Sequence, residues 1–340
     1  MKRLIIFYML FLLIFTSSCT PDLPAEIVVD KIFSIEGTLN RTDLDYPFIY
    51  IAADVNGFWR VDLSDNSHDA LELPLLNTQL NILKANYIDA NGNEVIALTE
   101  DKVWRSISSG TVWYESDNGI DRIFYPKALS RSTTDPRKLF FINNGEAMYY
   151  SLNWGEDWQK GVDVSVEDFN NSYWDPYNGG TIWIDGINGS QEQFVMCVEN
   201  YGNTQKDISI PTYDEAEWCS SLEFFGSAIY MRTSDNSEKH IIKSVNEGET
   251  WSEIETDYPD SIVISRFFND PSHAGTFYLT DEENEYIYRS TDTLKTFSEF
   301  IPLNFENEDE YIHKIYYEPM ISSLILVTHY GIYLVSLEGI

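Results

Sequence analysis

Apolar and polar residues alternate in short runs along most of the chain, and residues 261–303 show the pattern most clearly. The runs there are 261–268 (SIVISRFF), 276–280 (TFYLT), 286–290 (YIYRS) and 296–303 (TFSEFIPL). An Asp-Pro turn, a DEENE loop and a TDTLK turn separate them. Period-two alternation in short runs divided by turn residues predicts β-strands. We therefore predict a four-stranded antiparallel sheet here, and we name its strands a to d.

The same group of strands recurs along the chain at a fixed period. The residue that ends strand c recurs at positions 61, 106, 151, 198, 244, 290 and 335, in steps of 45 to 47 residues. A fixed period of this size indicates a repeat architecture, and four strands per period are typical of a β-propeller blade. We predict an all-β fold over residues 26–340, a seven-bladed β-propeller of four-stranded antiparallel blades.

A motif follows strand c in the central repeats, and its most complete copy is S-x-N-x-G-x-T-W at residues 244–251. An Asn or Asp side chain can accept hydrogen bonds from its own turn, and glycine admits a positive φ at no steric cost. A terminal aromatic residue can anchor strand d between blades. These roles predict a structural motif, whose residues are Ser106, Gly110, Trp113, Ser151, Asn153, Gly155, Trp158, Asn200, Gly202, Ser244, Asn246, Gly248, Trp251, Ser290, Asp292 and Phe297.

The motif resembles the Asp-box (BNR) repeat of sialidases, sortilin-type receptors, xyloglucanase-type hydrolases and photosystem assembly factors. The order of Asp-Pro turn, strand and motif is most similar to the last three families. The resemblance covers about residues 26–340. It implies a propeller with the motif on the c–d turn, away from the ligand face. It implies no single function, because proteins with one fold carry unrelated activities.

Residues 25–35 (AEIVVDKIFSI) bear on how the ring closes. Only five residues follow Val335, which is too few for a complete strand d in the seventh blade. Pairing of residues 25–35 with the last blade would supply this strand and remove an exposed edge. The same segment is also expected to provide strand a of the first blade, near residues 31–37. The sequence leaves open how the two tasks are divided.

The first twenty residues (MKRLIIFYMLFLLIFTSSCT) have the features of a targeting segment. Two basic residues precede an apolar run over residues 4–15, which is shorter than the roughly 20 residues of a membrane span and typical of a signal peptide. Residues 16–19 (TSSC) resemble a bacterial lipobox, with threonine in place of the usual leucine. We predict a signal peptide over 1–18, lipidation of Cys19, a linker over 19–25 and an outer-membrane location in a Gram-negative bacterium, with the leaflet side open. An ordinary signal peptide or membrane anchor is the alternative.

Acidic residues outnumber basic ones by 55 to 22, for a formal net charge of −33. Such a charge argues against nucleic acid as a partner, because its phosphates require lysine and arginine. Many of the acids fall in the predicted b–c and d–a loops, which share one face of a propeller. They are either solvated surface or a site for a cation or a basic partner. The candidate binding residues are Asp235, Asp281, Glu282, Glu283 and Glu285.

Signatures of catalysis are weak in this sequence. The Arg-Ile-Pro motif of sialidases is absent, and RIFYP at Arg122 is the nearest string. Arg122, Arg266 and His313 fall on predicted inner strands, where they can line the channel. Xyloglucanase-type hydrolases place their carboxylates between two propellers, whereas one propeller is predicted here. Nucleophile-elbow, zincin and phosphate-loop motifs are also absent.

The cysteines and histidines suggest no metal site, because their spacing matches no zinc pattern. Cys197 and Cys219 are expected to be buried thiols, with a disulfide as the alternative in an exported protein. We predict no cofactor and no catalytic residue. The predicted function is a monomeric, lipid-anchored protein that binds a glycan, a peptide or a protein partner through one face. A glycoside hydrolase is the alternative.

Overall fold

The computed structural model describes residues 29–337 apart from short internal segments. The segments outside the description are 36–37, 55–56, 65–66, 74–84, 124–125, 127, 133, 144–146, 164–167, 177, 188–192, 201–203, 210–217, 235–238, 258–263, 271, 282–284 and 306–309. The predicted signal peptide, Cys19 and the predicted linker therefore lie outside the described residues.

Seven four-stranded antiparallel sheets form a ring of blades, which confirms the predicted seven-bladed β-propeller. Blade 1 contains β2 (Leu39–Asp45), β3 (Phe48–Ala53), β4 (Phe58–Asp62) and β5 (Ala70–Leu73). Blade 2 contains β6 (Ala85–Asn91), β7 (Glu94–Thr99), β8 (Val103–Ser106) and β9 (Tyr114–Glu115). Blade 3 contains β10 (Ala128–Arg131), β11 (Leu139–Asn143), β12 (Ala147–Ser151) and β13 (Gln159–Lys160).

The remaining blades follow the same order from the inner strand a to the outer strand d. Blade 4 contains β14 (Asp168–Trp174), β15 (Ile182–Ile187), β16 (Gln193–Glu199) and β17 (Thr204–Ile208). Blade 5 contains β18 (Trp218–Phe225), β19 (Ala228–Ser234), β20 (Lys239–Ser244) and β21 (Ser252–Glu253). Blade 6 contains β22 (Ile264–Asn269), β23 (Phe277–Asp281), β24 (Tyr286–Ser290) and β25 (Ser298–Pro302). Blade 7 contains β26 (Ile312–Glu318), β27 (Ser323–Thr328), β28 (Gly331–Ser336) and β1 (Val29–Ser34).

The two ends of the chain pair to close the ring. Strand β1 is the outer strand of blade 7 and runs antiparallel to β28, with Val29 opposite Val335 and Ser34 opposite Gly331. The pairing itself was predicted, but the expected position of the first inner strand was wrong. Strand a of blade 1 is Leu39–Asp45 and not residues 31–37. The reason is that residues up to Ser34 are used in pairing with β28, so the inner strand begins only after the chain has crossed to the channel.

Apolar side chains fill the spaces between neighbouring blades. In β3, Ile49 and Ile51 pack with Ile325 of blade 7, whereas Tyr50 packs with Val95 of blade 2. Successive residues of a strand point to opposite faces, so the second strand of each blade is buried on both sides. This explains why strand b reads as a continuous apolar run.

The loops and turns divide the molecule into two faces. The a–b and c–d turns lie on one face, which we call the box face, and the b–c and d–a loops lie on the other, which we call the mouth face. Six of the seven inner strands contain a register shift near their first residues, at the mouth face. The residues skipped in the pairing are all polar: Asn40, Asn86, Asn170, Ser221, Ser265 and His313. Bulges of this kind bend a strand and increase its twist.

Candidate functional site

A central cavity of about 430 Å³ runs between the inner strands of all seven blades. Its lining is strongly charged, unlike the apolar spaces between the blades. The charged lining residues lie on the inner strands of every blade except blade 4. A concave cavity in which polar groups and titratable residues with shifted pKa values converge is the usual candidate for a ligand site, and this cavity is the candidate functional site.

Basic and aromatic groups converge where the cavity opens on the mouth face. This cluster, which we call the channel mouth, consists of Arg41, Arg266, Tyr311, His313 and His329. Burial lowers the pKa of Arg266 below its usual value; the neighbouring Tyr173 opposes this shift, and the positive charge of Arg41 adds to it. Burial and the charge of Arg266 lower the pKa of His313 to about 3. His313 is therefore neutral at physiological pH, whereas the flanking guanidinium groups stay charged.

The rings of the channel mouth are in direct contact. Tyr311 stacks on His329 with centroids 4.4 Å apart, and it meets the edge of His313 at 4.6 Å. Tyr311 remains 43% exposed, so its ring is open to a partner. Nε2 of His313 and Nδ1 of His329 are buried and have no hydrogen-bond partner within the described part of the chain. The channel mouth thus combines positive charge, an exposed aromatic surface and two unused polar atoms.

Acidic groups line the cavity nearer the box face. Burial, and then the neighbouring Asp89, raises the pKa of the Asp43 carboxyl well above its usual range. Burial also raises the pKa of Asp89, against the attraction of Arg131. Asp43 accepts a hydrogen bond from the Ala90 N–H at 2.7 Å, and Asp89 accepts one from Nε of Arg131. Both carboxyl groups therefore have partners in the neighbouring blade.

Polar contacts between inner strands bridge every junction of the ring around this cavity. Going round from blade 7, they join Tyr316 to Thr42, Ala90 to Asp43, Arg131 to Asp89, Trp174 to Ser130, Leu222 to Tyr173, Asn269 to Phe224, and Arg266 to His313. The donor–acceptor distance is 2.8 Å for Tyr316 Oη to the Thr42 carbonyl and 3.1 Å for Trp174 Nε1 to the Ser130 carbonyl. Much of the polar lining is thus already engaged in holding blades together.

The described residues of the predicted motif lie on the c–d turns, on the box face. The serine hydroxyl accepts the N–H four residues on, at 3.0 Å in Ser106, 2.9 Å in Ser151 and Ser244, and 3.0 Å in Ser290. Side-chain oxygens of Asn153, Asn246 and Asp292 likewise accept the N–H four residues on, at 2.9 to 3.1 Å. This is the geometry that a turn-stabilising role requires, and that role stays a prediction for these residues.

The glycines of the motif approach the preceding blade closely. Gly110, Gly155 and Gly248 all have positive φ, and a Cβ on Gly248 would lie 2.9 Å from Cγ2 of Ile208 and 3.0 Å from Cη2 of Trp183. Blade 6 departs from the pattern, because Leu294 takes the glycine position at φ 67°. Its side chain is fully buried in the apolar cluster between blades 5 and 6, and this burial offsets the unfavourable backbone conformation.

The terminal aromatic residues of the motif differ in burial. Trp113 and Trp158 are 4% and 3% exposed, whereas Trp251 and Phe297 are only partly buried. Asn200 lies on an exposed c–d turn and donates to the Thr204 hydroxyl at 3.3 Å. Gly202 lies outside the described residues.

The candidate acidic residues do not form one described cluster. Asp235, Glu282 and Glu283 lie outside the described residues. Asp281 is 7% exposed and accepts hydrogen bonds from the Tyr288 hydroxyl at 3.2 Å and the Glu285 N–H at 3.3 Å. Glu285 is exposed on the same b–c loop. Among the described residues, no group of three acidic, histidine or cysteine side chains is arranged to hold a metal ion.

Other predicted residues are placed as follows. Arg266 and His313 line the cavity as expected, whereas Arg122 lies before β10 and is not among the lining residues. Cys197 is a buried free thiol, and burial raises its pKa to about 12. Arg41, Tyr311 and His329 were not identified from the sequence. The short period-two alternation of β2 was the signal that would have placed Arg41 on an inner strand.

The described residues contain no helix long and apolar enough to cross a membrane. No protein-family model matches the sequence, and no curated protein matches it. Solved structures do match in fold. A structure of YCF48 bound to D1 peptide is 15% identical, with a TM-score of 0.67 over 91% of this chain and 94% of that chain. YCF48 from Cyanidioschyzon merolae is 11% identical, with a TM-score of 0.66 over 92% of this chain and 99% of that chain.

Glycoside hydrolases share the fold as well. The GH74 xyloglucanase from Xanthomonas campestris is 15% identical, with a TM-score of 0.63 over 91% of this chain and 53% of the enzyme. This chain therefore spans about half the length of that enzyme. At these identities the similarity establishes the class of fold, a seven-bladed β-propeller, and no activity.

Proposed function

We propose that this protein is a non-catalytic binding protein, attached to a bacterial outer membrane by a lipid on Cys19. Its ligand is an acidic segment of a peptide or protein partner, which binds at the channel mouth. The observation that carries the proposal is the convergence of Arg41 and Arg266 with the exposed ring of Tyr311. These cations are gathered in one place on a chain whose net charge is −33.

The chemistry of the channel mouth favours a ligand that is both anionic and able to stack. Guanidinium groups bind carboxylates with directed hydrogen bonds, and an exposed tyrosine contributes contact area at little entropic cost. The YCF48 neighbour, whose length this chain nearly matches, has a D1 peptide bound. This likeness in fold supports a peptide ligand in preference to the polysaccharides of the much longer hydrolases.

The proposal is tested with a tiled array of acidic and basic peptides from outer-membrane proteins, and a glycan array in parallel. We expect binding to acidic peptides, with an affinity that falls as salt shortens the Debye length from about 10 Å at 0.1 M. Tyr311→Ser and Arg41→Met should each weaken it about tenfold or more. Met320→Ser is the matched control, because Met320 is 72% exposed on the box face.

Three results would count against the proposal. Binding of basic peptides alone would point instead to the acidic loops around Glu285. Binding of glycans alone would replace the peptide ligand with a carbohydrate. An equal loss of affinity in the Met320→Ser variant would mean that the channel mouth is not the site.

A glycoside hydrolase is the second candidate, and one observation favours it. Asp43 and Asp89 are neighbouring carboxyl groups in the cavity, and both have raised pKa values. A pair of carboxyl groups with perturbed pKa values is what glycosidic bond cleavage uses. Both groups are occupied by the next blade, which is why binding is preferred. Release of reducing sugar from a glycan panel that is abolished by Asp43→Asn would establish the hydrolase and overturn the non-catalytic proposal.

A further inference from the structure

The described chain begins on the box face. Val29, the first residue of β1, lies opposite Val335, the last residue but one of strand c in blade 7, at the end nearest the c–d position. Val29 also packs with Leu337, whose N–H donates to the Ser322 carbonyl in the a–b turn at 2.8 Å. The segment that leads back to Cys19 therefore joins the propeller at the box face.

Exposed apolar side chains are concentrated on the same face. Within the described part of the chain eight large hydrophobic residues are exposed, and five of them lie in the turns of this face: Ile107, Val112, Leu152, Val245 and Met320. Ile107, Leu152 and Val245 occupy the same position of the repeat, one residue after the serine, and are 53%, 43% and 67% exposed. Tyr311 is the one member of the eight that lies at the mouth face. The repeat thus presents apolar tips from several blades towards one side.

We propose that the box face rests on the membrane that carries the lipid of Cys19, with Ile107, Leu152, Val245 and Met320 in contact with the lipid headgroup layer. The inference rests on the lipid anchor of the proposed function. A tether of nine residues, 20–28, spans at most about 30 Å. It therefore holds the face from which it emerges near the bilayer at a high effective concentration.

Charge decides which membrane surface fits. Glu156 and Glu247 are exposed beside the apolar tips, and anionic lipid would repel them. The surface therefore suits zwitterionic phospholipid and binds it only weakly without the tether. In this orientation the channel mouth points away from the membrane, where a partner can reach it.

The orientation is tested with the full lipidated protein in phosphatidylethanolamine-rich vesicles that contain brominated lipid. An environment-sensitive fluorophore is attached at Leu152→Cys, Val245→Cys or Tyr311→Cys, in a background that carries Cys219→Ser. Cys197 is buried and does not compete for label. We expect quenching of about half the fluorescence at the two box-face positions, where a side chain enters the interface, and none at Tyr311→Cys. Quenching at Tyr311→Cys, or equal quenching at all three positions, would overturn the orientation.

A second pair of variants tests whether the apolar tips make the contact. With the label at Val245→Cys, Ile107→Glu and Leu152→Glu together should remove most of the quenching. Ser209→Glu and Asn304→Glu add the same charge at exposed positions of the d–a loops on the mouth face and should leave it unchanged. If both pairs act alike, the effect is one of net charge and the proposed contact is wrong.

Failure of the lipid anchor gives a different result from failure of the surface. If the full protein does not float with the vesicles and its Cys19 carries no lipid, the anchor is wrong. A version with a hexahistidine tag in place of residues 1–19 is then tethered to nickel-chelating lipid, and the same labels are compared. Selective quenching of the box-face labels would support the surface by itself, and its absence would overturn the surface as well.

Discussion

The substitution Gly248→Ala is expected to destabilise the propeller through two separable effects. Gly248 has φ +76°, and a left-handed conformation costs alanine about 1–2 kcal/mol. Its new Cβ would also lie 2.9 Å from Ile208 and 3.0 Å from Trp183 in the preceding blade. Trp183 is fully buried and cannot move away easily, so overpacking adds about 1–3 kcal/mol. The expected total is about 2–5 kcal/mol, less about 0.4–1 kcal/mol from the lower entropy of the unfolded chain.

Gly226→Ala is the matched control for this substitution. Gly226 has φ +58°, and a Cβ there has no atom within 4 Å. It should therefore show the backbone effect without the packing effect. Urea unfolding measures both variants, and equal m-values would make the midpoints comparable. Equal destabilisation by the two substitutions would refute the argument that the motif glycines are required by close contact between blades.

Other substitutions test individual contacts of the fold. Trp158→Ala should cost about 3–5 kcal/mol because Trp158 is 3% exposed, whereas Trp251→Ala should cost less because Trp251 is only partly buried; equal losses in calorimetry would contradict this. His313 has its pKa lowered to about 3, so its contribution to stability is lost as pH falls from about 6.5 towards 3. His313→Gln should therefore reduce the fall in Tm between about pH 7 and pH 4, and an unchanged pH profile would show that another group is responsible. Arg131→Met should cost about 3–5 kcal/mol by leaving Asp89 without its charge partner. Adding Asp89→Asn should restore part of that stability in urea unfolding, unless lost packing of the arginine is the cause.

The fold could be predicted from the sequence because its determinants are local and repeated. Period-two alternation marks each strand, and a motif such as residues 244–251 recurs at the end of strand c. Each repeat forms one blade from contacts within about 46 residues, so a single period read off the chain predicts the whole ring. Pairing of the two ends was also predictable, because the seventh repeat lacked an outer strand. The position of β2 was not, since Lys31 and Phe33 suit either an outer or an inner strand, and only the pairing of β1 with β28 settles the choice.

The channel mouth was decided by the tertiary structure. Arg41, Arg266 and His329 are far apart in the sequence and belong to three different blades. Arg41 and Arg266 lie on inner strands, whereas His329 lies in the loop between β27 and β28. No local pattern distinguishes a charged residue that faces the channel from one that faces solvent, because both occupy polar positions of a strand. The same limit applies to Asp281, which has the composition of a surface loop but is buried against Tyr288. Strand periodicity is a property of neighbouring residues, whereas convergence on the axis depends on how seven blades close into a ring.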